Sequence, residues 1–262
     1  MSKPLFLLFS ALFGAFGTAV PAFAQDTTPP TVAVTSPAAN SYLNSLGVIT
    51  GTAEDNDLVS AVTVSIRRLS DGYYWNGTAF AAVQSWRDAS IWPSSWTYSA
   101  LPAWVDASSY TVFARALDTA SNFSAVYSTS TFYFDTGLPV SAVTSPVNNS
   151  AVYDYAVVSG TAWDLELFTA QVWVKMSRAP DNMYWNGATS QWTAAEAWNL
   201  AVGSVAWTYA GPPYSALASG TTYFAVSRAV DLAGNAQASE VAGSSFVFAG
   251  ATVCGPLASV QS

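Results

Sequence analysis

The 262-residue sequence contains no histidine, a single cysteine and only eight lysines and arginines. Without imidazole there can be no Ser-His-Asp triad, no histidine general base and no zinc site that requires a ring nitrogen. One cysteine, Cys254, cannot close an intrachain disulfide, so stability has to come from packed cores. Charged side chains make up only 9% of the chain, and sixteen of them are acidic. The formal net charge of −8 argues against nucleic acid or an anionic membrane as a partner. Long apolar runs are also missing except at the start, where Leu5 to Phe16 follows Lys3 and precedes Ala22-Phe23-Ala24. That pattern predicts a secretory signal peptide of bacterial style over residues 1–24, with an apolar core short for a spanning helix. Its cleavage would leave sixteen acidic and seven basic residues and no segment suited to membrane insertion. The expected location is secreted or at a bacterial cell surface.

The chain is rich in repetition. Thr35-Ser36-Pro37, Gly51-Thr52-Ala53, Tyr74-Trp75-Asn76-Gly77, Trp96-Thr97-Tyr98 and Arg115-Ala116-Leu117-Asp118 recur as Thr144-Ser145-Pro146, Gly160-Thr161-Ala162, Tyr184-Trp185-Asn186-Gly187, Trp207-Thr208-Tyr209 and Arg228-Ala229-Val230-Asp231. The offset grows from 109 to 113, which means small loop insertions within one repeated fold. The predicted organisation is a signal peptide at 1–24, a first domain at 25–134, a second at 135–248 and a tail at 249–262 that carries Cys254.

Within a copy, Val62, Val64 and Ile66 alternate with Thr63, Ser65 and Arg67, a period of two with one apolar face. Strands are expected at Thr31–Thr35, Gly47–Ala53, Trp96–Ala100, Tyr110–Leu117 and Val126–Phe134. The Asn76-Gly77 pair between β-rich runs predicts a tight type I′ hairpin. About seven short strands per copy, with no helical period, predict an all-β protein of two tandem β-sandwiches.

Acid–base chemistry by paired carboxylates is the catalytic route still open. Ten of the sixteen acids, however, fall into pairs matched across the repeat: Asp26 with Asp135, Asp55 with Asp164, Asp57 with Glu166, Asp71 with Asp181, and Asp118 with Asp231. Turns recur once per fold more readily than active sites do, so no catalytic residues are assigned. Asp118-Thr119-Ala120-Ser121-Asn122 and Asp231-Leu232-Ala233-Gly234-Asn235 read first as capped turns at strand ends. They could also supply oxygen ligands to calcium, with Asp55, Asp118 and Asp135 as the candidate set at the domain junction. Trp75, Trp96, Trp185 and Trp207 recur and are expected in the cores. Trp86, Trp92, Trp173, Trp192 and Trp198 are the candidates for stacking on sugar rings.

The Asp-Thr-Thr-Pro-Pro opening, the Thr-Ser-Pro and Gly-Thr-Ala segments, the Tyr-Trp-Asn-Gly hairpin and the Ala-Val-Asp-Leu-Ala-Gly-Asn turn resemble bacterial Ig-like domains. The resemblance implies two immunoglobulin-like Greek-key sandwiches in a secreted, non-enzymatic module for adhesion, interaction or spacing. The implied partners are proteins or glycans on a cell surface, and in some such adhesins calcium stiffens domain junctions. Ser121, standing where the second copy has Gly234, departs from the turn pattern. A carbohydrate-binding protein is the alternative.

Overall fold

The computed structural model describes residues 25–155, 157–164, 169–179, 181–238 and 243–250; the signal segment, Glu166 and Cys254 lie outside the described residues. The first copy forms β1 (Thr31–Ser36), β2 (Ser41–Leu43), β3 (Ile49–Glu54), β4 (Val59–Arg68), β5 (Tyr74–Trp75) and β6 (Phe80–Ala81). It continues with β7 (Arg87–Asp88), β8 (Ser90–Trp92), β9 (Ser95–Tyr98), β10 (Ser108–Asp118) and β11 (Ser128–Phe134). The second copy repeats this as β12 (Val140–Ser145), β13 (Ser150–Val152), β14 (Val158–Trp163), β15 (Thr169–Arg178), β16 (Met183–Asn186) and β17 (Gln191–Thr193). Its remaining strands are β18 (Asn199–Leu200), β19 (Val202–Gly203), β20 (Ala206–Tyr209), β21 (Thr221–Asp231) and β22 (Ser244–Phe248).

Each copy pairs one four-stranded sheet, β1-β3-β9-β8, with a larger one, β2-β11-β10-β4-β5-β6, in which β7 also pairs with β4. The second copy has the same order, β12-β14-β20-β19 against β13-β22-β21-β15-β16-β17. The short β2 runs parallel to β11, whereas β4, β10 and β11 are antiparallel. Crossing between sheets in this order is the Greek-key arrangement of an immunoglobulin sandwich.

The period-two pattern on β4 directs Val62, Val64 and Ile66 inward, where they meet Tyr110, Val112 and Ala114 of β10 and Trp96 of β9. Trp96, Trp185 and Trp207 are almost wholly buried, and Trp75 packs against the first core. Burying a large apolar side chain contributes roughly 3 kcal/mol, so these rings anchor each core. The Gly-Thr-Ala segments are explained by the same packing. Gly51 pairs in register with Trp96, and a Cβ there would collide with the indole ring and with the Ala33 carbonyl; Gly160 meets Trp207 and Ala142 in the same way.

The Asn76-Gly77 hairpin differs from the two-residue turn expected. Trp75 pairs with Phe80, which leaves a four-residue loop in which only Gly77 has positive φ. Asn76 Oδ1 instead accepts the Thr78 and Ala79 backbone N–H groups at 3.0 and 2.9 Å. The side chain builds an Asx turn, so the backbone need not enter the left-handed region twice. The second copy does the same with Asn186, which accepts from Ala188 and Thr189.

Candidate functional site

Asp26 precedes β1, Asp55 follows β3 and Asp118 ends β10, so these three carboxylates gather at one end of the first sandwich. One oxygen from each lies within 4.8 Å of the others. Oxygens around one calcium at its usual bond lengths stand at most about 5 Å apart, so this spacing suits a shared cation. Asn122 orients Asp118: its backbone N–H donates to Oδ1 and its Nδ2 to Oδ2, both at 2.7 Å. The same Nδ2 donates to the Asp26 carbonyl at 3.1 Å, which ties the strand end to the start of the module. Asp26 Oδ1 accepts from the Thr28 N–H and Asp55 Oδ2 from the Asp57 N–H. Asp26 Oδ2 and Asp55 Oδ1 are left buried with no hydrogen-bond partner. The Thr28 N–H, with help from Asn56, holds the Asp26 carboxyl below the usual carboxylate range.

In the second copy the corresponding acids are Asp135, Asp164 and Asp231, which neighbour one another electrostatically, but among the described residues only the first-copy set brings three carboxylates within 4.8 Å. Asn235 caps Asp231 through its backbone N–H and Nδ2, both at 2.8 Å, and its Nδ2 also donates to the Asp135 carbonyl at 3.0 Å. Asp135 is fully buried; its Oδ1 accepts the Gly137 N–H at 2.8 Å, while its Oδ2 has no partner. Burial pushes its carboxyl up to about 6 despite the Gly137 hydrogen bond, and the charges of Asp231, Asp164 and Asp106 add to the rise. Gly137 leaves the space open, because a Cβ there would stand 3.0 Å from Asp135 Oδ1 and 3.8 Å from Asp164 Oδ1.

Asp106 belongs to the first module, and its Oδ1 accepts the Thr136 N–H at 2.6 Å across the connection. The Asp231 turn also approaches the first module, where Gly234 lies near Asn44. The carboxylate group of the second copy is therefore the one at the junction.

The grouping of Asp55, Asp118 and Asp135 expected from sequence does not form. Asp55 and Asp118 meet, but Asp135 follows Phe134, which pairs with Ser108 at the far end of β10 from Asp118. Ten residues of extended strand separate those ends by about 33 Å. Asp26 completes the first set, and Asp135 serves the second. The signal was present in the aligned Asp pairs, since each copy carries one member of every pair.

Of the six acids without a repeat partner, Glu240 lies outside the described residues, Glu54 ends β3 beside Asp55, and the other four are dispersed. Asp88 sits on β7, Asp106 at the junction, Asp154 beyond β13, and Glu196 pairs with Lys175 at 3.4 Å.

The five tryptophans proposed as a stacking platform do not come together as one group, and only Trp173 and Trp198 share a place, both at Arg228. Trp92 is 82% exposed on β8, in the smaller sheet. Trp192 packs against the second core, with Nε1 donating to the Ala216 carbonyl. Trp173 is half-buried on β15, in register with Arg228 and Leu200. Trp86 lies beneath Arg115 at 4.2 Å, and Trp198 beside Lys175 and Arg228 at 4.9 and 5.2 Å. Trp86 and Trp198 are structural counterparts, each just ahead of the short strand that pairs with β4 or β15. A further exposed ring, Trp163 at the end of β14, was not among the candidates.

No protein-family model matches the chain, and no curated protein sequence matches it. Among solved structures it is similar to the fibronectin(III)-like modules of Clostridium thermocellum CbhA, at 14% identity over 85% of this chain and 96% of that one, with a TM-score of 0.45. It is also similar to a tetra-tandem repeat from the extending region of a large adhesion protein, at 20% identity over 84% of this chain and 49% of that one, with a TM-score of 0.29. The immunoglobulin assignment rests on the strand order of the chain itself.

Proposed function

We propose that this chain is a secreted, non-catalytic module of the bacterial surface, in which two Ig-like domains serve adhesion, interaction or spacing and calcium stiffens them. One observation carries the calcium part: the buried, unpartnered Asp135 Oδ2, enclosed with Asp164, Asp231 and Asp106 where the two sandwiches meet. A cation there would offset the burial, and with it the repulsion, that raises the Asp135 carboxyl, and an all-oxygen donor set suits a hard divalent ion. The residues that would hold it are Asp135, Asp164 and Asp231 at the junction, and Asp26, Asp55 and Asp118 at the free end. The non-catalytic reading is supported by the matched carboxylates, which account for turns in both copies, and by the dispersal of the unmatched ones. The partners in this reading are proteins or glycans on a cell surface.

Calorimetric melting in calcium and in chelator tests the reading. Saturation about a hundredfold above the dissociation constant contributes about 2.7 kcal/mol, which is a rise of about 10 °C for a module of this size. Identical melting in calcium and chelator would refute the calcium site. A second reading, carbohydrate binding, is favoured by a half-exposed aromatic group around Arg115 in the first domain.

A further inference from the structure

On the outward face of β10, the Arg115 guanidinium lies 4.2 Å from the Trp86 ring centre and 4.8 Å from that of Phe123. The cation is thus held against two aromatic rings. Its Nε donates to Thr63 Oγ1 at 3.0 Å, and its terminal nitrogens have no hydrogen-bond or ion-pair partner among the described residues. Tyr127 packs on Trp86 at 5.2 Å, and Phe123 and Tyr127 are each about half exposed. Phe123, Val126 and Tyr127 line an open notch of about 360 Å³ with Arg115 in it.

The second sandwich provides an internal comparison. Arg228 stands where Arg115 does, and Trp198 where Trp86 does, at 5.2 Å. Beside that tryptophan is Glu196, which accepts the indole N–H at 2.7 Å. The indole N–H first, then the charges of Lys175 and Arg228, hold the Glu196 carboxyl below its ordinary range. Two residues before Trp86, the first module has the neutral Gln84 instead of Glu196. The bridge that pairs Leu117 with Phe123 pairs Val230 with Ala236 in the second module, so the Phe123 ring has no counterpart there, although Trp173 stands in register with Arg228 where the first module has Thr63 opposite Arg115. Glu196 is ion-paired with Lys175 and adds a negative charge near Arg228, whose Nε has no hydrogen-bond partner among the described residues, whereas in the first module Gln84 replaces that acid and the Arg115 fork opens on the notch. Asp88, opposite Thr63 on β7, forms no ion pair with Arg115 among the described residues.

We infer that this notch binds a carboxylated pyranose, the hexuronate unit of an acidic polysaccharide. A guanidinium presents two parallel N–H donors in the geometry of a carboxylate, and the two half-exposed rings offer flat faces to a sugar ring. An extended peptide would need an unpaired strand edge, whereas β10 is hydrogen-bonded on both sides, to β4 and β11. The inference rests on the carbohydrate reading and narrows it to an anionic sugar at one place.

Titration calorimetry of the full chain with trigalacturonate, against neutral galactotriose, tests it. The uronate binds at least about tenfold more tightly than the neutral sugar, and the binding weakens as salt is added. Arg115→Gln loses about tenfold or more, the usual worth of a charge-assisted hydrogen bond. Gln84→Glu places a negative charge two residues before Trp86, where Glu196 stands in the second module; that charge near Arg115 lowers uronate affinity severalfold and leaves the melting temperature unchanged, so it decides the matter if Arg115→Gln does not fold. Equal binding of both sugars, untouched by either substitution, overturns the inference while sparing the carbohydrate reading. Failure of both sugars to bind at millimolar concentration ends both.

Discussion

Asp26 and Asp135 occupy the same position in the repeat, yet their surroundings push their carboxyl groups in opposite directions. Asp26 is held charged by the Thr28 N–H, whereas Asp135 is enclosed at the junction and raised to about 6 from an ordinary value of 3.8. A raised carboxyl means that the folded state binds more protons than the unfolded one, so stability falls as pH rises through roughly 4 to 6. At pH 7 in chelator the ionised group costs about 2 to 3 kcal/mol. Asp135→Asn keeps an acceptor for Gly137 and removes the charge, so in chelator it should raise the melting temperature at pH 7 and have little effect near pH 4. Calcium needs the ionised group, so its stabilisation should fade as pH drops below about 6. A melting temperature that in chelator responds to pH alike in the parent and in Asp135→Asn would contradict this. A second prediction at this scale concerns Gly51. A methyl group there meets the Trp96 ring and a carbonyl, so Gly51→Ala should lower unfolding stability by about 3 kcal/mol in denaturant melts.

The turns after β10 and β21 show what an element-level motif does in this fold. The Asn of each Asp-x-x-x-Asn turn holds both oxygens of its Asp and also the first carbonyl of the module, so one side chain joins the last long strand to the point where the chain enters. Asn235 is buried, and Asn235→Ala would leave two acceptors short of a donor, a loss of about 2 to 3 kcal/mol read by equilibrium unfolding. Wild-type stability in that variant would mean that the contacts are not needed.

The long strands, the buried tryptophans and these turns were legible in the sequence because each depends on local spacing or on a period of two, whereas the two- and three-residue strands β2, β7 and β8 are too short to show a period, and Gln84 to Pro93 reads as a loop. Two further features were not legible. Asp135 was assigned to the wrong carboxylate set because sequence shows which acids recur but not which end of a long strand each reaches. The correspondence of Trp86 with Trp198 was hidden by two extra residues in the second hairpin, between Asn186 and Trp192. The Arg115 notch depends on Gln84 and Phe123, whose meaning appears only when the two outward faces are compared.

At the scale of the whole molecule, the connection between the sandwiches is short: Phe134 ends β11 and Val140 starts β12. Within it Asp135 is buried while Thr136 and Leu138 are exposed, so a protease can reach the link only where the polar contacts around it open. Those contacts are few: the Asp135 N–H to the Leu43 carbonyl, Asp106 to the Thr136 N–H, Asp135 to the Gly137 N–H, and Asn235 to the Asp135 carbonyl. Without a cation they must hold against four neighbouring carboxylates, which favours opening; with calcium the same carboxylates become the clamp. Limited proteolysis should therefore cut between residues 135 and 139 slowly in calcium and severalfold faster in chelator, at temperatures where both sandwiches remain folded by circular dichroism. Asp106→Ala removes the acceptor for Thr136 but leaves Asp135, Asp164 and Asp231 in place, so it should quicken cleavage in chelator more than in calcium. Equal cleavage rates in all four conditions would show that the link is held by its short length alone and that the carboxylates at the junction do not control it.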